Sequence, residues 1–65
     1  MFTRKHYEAT ANVLKPIAEK AIREGGYRGE AYVAVQDIAV GMAAMFKADN
    51  PRFAPDKFFA AAKTK

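Results

Sequence analysis

The chain has 65 residues, a formal net charge of +4, one histidine and no cysteine or serine. A chain of this length makes one domain whose core buries only about 60% of the unfolded surface, which leaves little room for a large substrate cleft. Composition excludes disulfides, thiolate-bound metals, two-histidine metal sites and a serine nucleophile, and 51% hydrophobic beside 28% charged residues marks a globular chain rather than a disordered one.

The pattern predicts an all-α fold of three helices and no strand. The first spans about residues 4–24. Thr3 suits its N-cap, and Tyr7, Ala11, Leu14, Ala18 and Ala21 recur at three-four spacing, flanked by Ile17 and Ile22. Arg4/Glu8, Lys15/Glu19, Glu19/Arg23 and Lys20/Glu24 set opposite charges four residues apart. Pro16 lacks an N–H and crowds the carbonyl four residues earlier. Because the apolar stripe keeps its phase across it, one long kinked helix is expected. Gly25-Gly26 then ends the helix, since glycine accepts a left-handed cap at little cost.

After a Gly25–Gly29 connection, the second helix is expected over about residues 30–47. Val35, Ile38, Ala39, Met42, Met45 and Phe46 form its main stripe, with Val33, Val40 and Ala44 on the opposite side. A helix apolar on two sides is expected to be buried between other elements. Asp49-Asn50-Pro51 reads as a turn. The short third helix, about residues 55–63, has Pro55 at its first position, Asp56 in its first turn and Phe53/Phe58 at hydrophobic-staple spacing. The Lys63-Thr64-Lys65 tail is expected to fray. One core of this size rarely contributes more than about 3–5 kcal/mol, so a homodimer or another partner would supply further burial.

Three features are candidates for contact with a partner. Arg4 and Lys5, beside His6, sit where free N–H groups and basic side chains can hold an anion; the alternative is a solvated positive end partly balanced by Glu8. Tyr27 and Arg28 form an aromatic–arginine pair on the loop, residue types enriched at interface hot spots. Val33, Gln36 and Val40 share one side of the second helix, either against the third helix or as an exposed strip. His6 has no partner to orient its imidazole, because Glu8 at i,i+2 faces elsewhere; it reads as a solvated surface residue. The glycine loop fits no phosphate-binding fingerprint.

The two ends of the chain carry a resemblance. Phe2-Thr3-Arg4-Lys5-His6-Tyr7 at one end and Asp49-Asn50-Pro51-Arg52-Phe53, followed by Lys57-Phe58 and Ala61, at the other resemble small uncharacterised proteins of tailed bacteriophages and prophages. In those, such a start and finish bracket a variable middle. The resemblance covers roughly half of the chain and implies action in a bacterial host cytoplasm. One departure is Ala54, where such proteins commonly carry Asp; an N-cap lost this way costs about 1 kcal/mol.

Together these readings predict a non-enzymatic protein that binds a bacterial host protein with an acidic surface and inhibits or redirects it, for example an anti-CRISPR or other anti-defence inhibitor. No cofactor, metal or membrane association is expected, and no apolar run approaches the roughly 20 residues of a membrane span. The N-terminus lacks the apolar segment of a signal peptide. Nucleic acid is the alternative partner for a chain with a pI near 9.6, although its basic residues are scattered and no recognition helix is evident.

Overall fold

Three helices form where the periodicity places them: α1 (Arg4–Gly25), α2 (Glu30–Asp49) and α3 (Pro55–Ala62). The structure, a computed structural model, describes residues 2–64, and there is no strand among them. The expected behaviour of Lys65 lies outside the described residues.

Helix α1 buries Ala11, Leu14, Ala18 and Ala21, the face read from spacing. It runs as one helix through Pro16. Pro16 and Asn12 are both exposed, so the Asn12 carbonyl that loses its helical donor can turn to water. At its start, Thr3 and His6 form a capping box, with His6 in the position usual for Glu or Gln. The Thr3 N–H donates to His6 Nδ1 at 2.9 Å. His6 is exposed, as read from the sequence, and in addition caps the helix start.

The α1–α2 connection depends on two glycines for different reasons. Gly26 has φ +73°, ψ −179°, a region essentially closed to other residues. At Gly29 a Cβ would lie 2.7 Å from the Gly25 carbonyl oxygen, so the chain ends could not approach as they do. Gly26 N–H caps Ile22 O at 2.8 Å and Gly29 N–H returns to Gly26 O at 3.1 Å.

Helix α2 is not sandwiched as expected. It buries one face, Tyr32, Val35, Ala39, Ala43 and Phe46, and leaves Val33, Ile38, Val40 and Met45 exposed. The central element is α1, which packs on both other helices, whereas α2 and α3 meet over a smaller surface. The buried stripe of α2 is rotated toward Tyr32 and Ala43 because α3 covers that flank: the Tyr32 hydroxyl donates to Lys63 O at 3.0 Å and Gln36 Nε2 to Thr64 O at 3.2 Å. Within the 20 residues of α2, an 18-residue window reaches a mean hydropathy of 1.2, so by length and composition alone α2 could cross a membrane, contrary to the expectation from its sequence. Its inner face, however, is committed to the core.

Helix α3 starts at Pro55, and the Phe53 and Phe58 rings meet at 5.7 Å, as staple spacing requires. It ends one residue early, because Lys63 turns left-handed (φ 57°) and Thr64 N–H caps Phe59 O at 3.0 Å. Thr64 is buried; Lys63 and Thr64 thus form an ordered cap rather than a frayed tail. Lys63 also reaches Glu19 at 3.7 Å, so Glu19 makes an ion pair across helices.

Candidate functional site

The sequence-identified basic and aromatic residues fall at opposite ends of the molecule. Arg4 and Lys5 open α1, and Tyr27 and Arg28 follow its end. A 22-residue helix spans about 33 Å, close to the 35 Å long dimension of the whole chain. One small epitope cannot engage both pairs. Tyr27 is exposed, with its ring edge-on to Tyr32 at 5.3 Å. Val33 and Val40 are exposed beyond it, so they form a strip rather than packing on α3. Gln36 is half-buried and its amide holds the C-terminal carbonyl of Thr64, which makes it a fastening of the fold.

At the Arg4 end the two terminal segments come together. Phe2 N–H donates to Asp49 Oδ2 at 2.8 Å. The Tyr7 hydroxyl donates to Phe2 O at 3.1 Å and accepts from Asn50 Nδ2 at 3.2 Å. Asn50 Oδ1 accepts the Arg52 N–H at 3.0 Å, and Lys47 Nζ donates to Pro51 O and Phe53 O. These bonds hold the α2–α3 turn against α1. Beneath them the rings of Phe2, Tyr7, Phe46, Phe53 and Phe58 meet at centroid distances of 4.6–5.7 Å, mostly edge to face.

Between α1, this turn and α3 lies an open groove of about 430 Å³. Tyr7, Ala11, Phe53, Phe58 and Ala61 form its floor, and Arg4, Arg52 and Lys57 stand on its rim with one carboxylate, Glu8. Arg4 Nε holds Glu8 at 3.0 Å, both side chains largely exposed. The groove is therefore an apolar floor under a positive rim. It suits an anionic or acidic surface with an apolar contact point.

Of the sequence-identified residues, only Arg4 lines this groove. Arg52 and Lys57 went unassigned, and so did Tyr7, although all three lie in the terminal motifs. No group of three or more metal-ligating side chains occurs among the described residues. Comparison with family models, curated proteins and solved structures finds no match for the chain.

Proposed function

We propose that this is a non-enzymatic interaction protein that binds an acidic surface of a bacterial host protein and inhibits or redirects it. The observation that carries this reading is the groove: Arg4, Arg52 and Lys57 converge around an aromatic floor, with Glu8 as the single acid. The terminal motifs support a phage or prophage setting in the host cytoplasm, and inhibition of a defence system, as by an anti-CRISPR protein, is its concrete form. The mechanism is occlusion. A small body sits on the target, and its positive rim speeds the encounter at low salt.

The test is affinity capture from host lysate, with and without nuclease, comparing the natural chain with an Arg52→Glu/Lys57→Glu double variant. One protein should survive nuclease treatment and fall at least about tenfold in recovery with the double variant. A Tyr27→Ala/Arg28→Ala variant, altered at the far end, should retain it. Capture insensitive to the groove reversal would remove the groove from the reading.

The same three cations support a second reading, contact with nucleic acid phosphates. It predicts DNA or RNA binding that weakens steeply with salt. A flat titration at about 50 mM salt excludes it.

A further inference from the structure

The groove between α1 and α3 is short, recessed and positively rimmed. Arg4, Glu8 and Ala11 border it from α1, Lys57 and Ala61 from α3, and Arg52 from the turn that joins α2 to α3. From Arg4 to Ala11 helix α1 rises about 10 Å, the length of two helical turns or of three extended residues. Small side chains, Ala11, Ala54 and Ala61, line the recess, so a side chain from outside can enter between the two helices.

Its floor suits an apolar side chain better than a base. Phe53 and Phe58 are only 5% and 4% exposed, with their rings meeting at 5.7 Å, so neither offers an open face on which a nucleobase stacks. Tyr7 is half-buried, and its hydroxyl donates to Phe2 O and accepts from Asn50 Nδ2. Asn50 Oδ1 accepts the Arg52 N–H, which leaves apolar contact as what the floor provides. The rim adds charge. Arg52 and Lys57 are exposed and make no ion pair among the described residues, whereas Arg4 pairs with Glu8 at 3.0 Å. The first turn of α1 holds no acidic residue, so the positive end of its dipole strengthens the same field.

Resting on the acidic contact argued for this groove above, we propose that its occupant is a linear acidic segment of the partner. One apolar side chain seats between α1 and α3. Carboxylates before and after it meet Arg52 and Lys57 on one side and Arg4 on the other. Charge complementarity selects the flanking residues, because the rim presents three cations and one acid. The size of the recess selects a segment over a broad surface: about 10 Å between two helices admits a narrow element. Segments rich in acidic residues stay unfolded and accessible as tails and loops, so they can bring a single apolar anchor to such a site. Nucleic acid would satisfy the rim but leave the floor without a matching group.

Fluorescence anisotropy of the full chain with a fluorescein-labelled peptide, one Phe flanked by Glu residues on both sides, tests this. The expected Kd is about 100 μM or tighter. Replacing the Phe of the peptide by Ala should weaken binding at least about tenfold, and so should Ala61→Trp in the protein. Ala61 is exposed and lines the groove, so Ala61→Trp fills the recess without changing charge; circular dichroism checks that the helices remain. Absence of binding at about 1 mM overturns the proposal. Equal binding of the Phe and Ala peptides overturns it, as does undiminished binding by a helical Ala61→Trp, since either leaves only diffuse charge attraction. A single-stranded oligothymidylate of the same length that binds more tightly than the Phe peptide, and is lost with Ala61→Trp, also overturns it and assigns the groove to nucleic acid. Capture of a host protein that fails with Arg52→Glu/Lys57→Glu but persists with Ala61→Trp sinks the linear segment and keeps the acidic surface, so the two proposals fail separately.

Discussion

His6 Nδ1 accepts the Thr3 amide at 2.9 Å, and its ring meets Phe2 edge to face at 5.9 Å. The imidazole thus does the work of a Glu or Gln at the third helical position, satisfying a donor that the helix itself leaves open. His6→Ala should lower stability by about 1 kcal/mol, read as a shift in the urea midpoint with unchanged slope. His6→Gln, which can accept the same bond, should recover most of it. Spacing alone could not show this, because the reach from residue 6 back to residue 3 depends on the extended backbone at Thr3, with ψ 174°. Arg52 and Lys57 escaped assignment for a related reason. Each sits one turn or less from an apolar anchor, and only the closure of the α2–α3 turn over α1 aims them at a common groove.

At the scale of elements, Pro16 is a cost carried by α1. It leaves the Asn12 carbonyl without its helical donor, on a face open to solvent. Pro16→Ala restores that bond and should stabilise the chain by about 1–3 kcal/mol, seen as a higher Tm in a thermal melt. A lower Tm would show that the packing of α1 on both neighbours requires the proline geometry. The bounds of α1 follow from the Thr3 cap and Gly25-Gly26, and the start of α2 from Gly29 and Glu30, signals that act locally. The end of α3 does not: a left-handed Lys63 places Thr64 in the interior, and no residue type there announces it.

For the whole molecule, marginal size governs behaviour. A chain of 65 residues with a core rich in alanine has little stability in reserve, and any interaction made only by the folded form adds to it. Ile38 is half exposed in the folded chain, so Ile38→Glu should change stability by no more than about 0.5 kcal/mol, read as a nearly unchanged thermal midpoint by differential scanning calorimetry.

The linear sequence by itself determined that the chain is all-α, with three helices near their observed bounds, the apolar face of α1 and the Phe53–Phe58 staple. These rest on periodicity, caps and turn residues, which act over a few positions. Tertiary structure alone decided which helix is central and which flank of α2 is covered. It also decided that Phe2, Tyr7, Asn50 and Arg52 share one end of the molecule. Val33, Ile38, Val40 and Met45 are equally apolar as letters, and every side of α2 carries such residues. Burial therefore went to the face turned toward α1 and the flank that α3 covers, and that arrangement is held by contacts far apart in the sequence, such as Phe2 with Asp49 and Tyr32 with Lys63. Local patterning holds no record of contacts at that range.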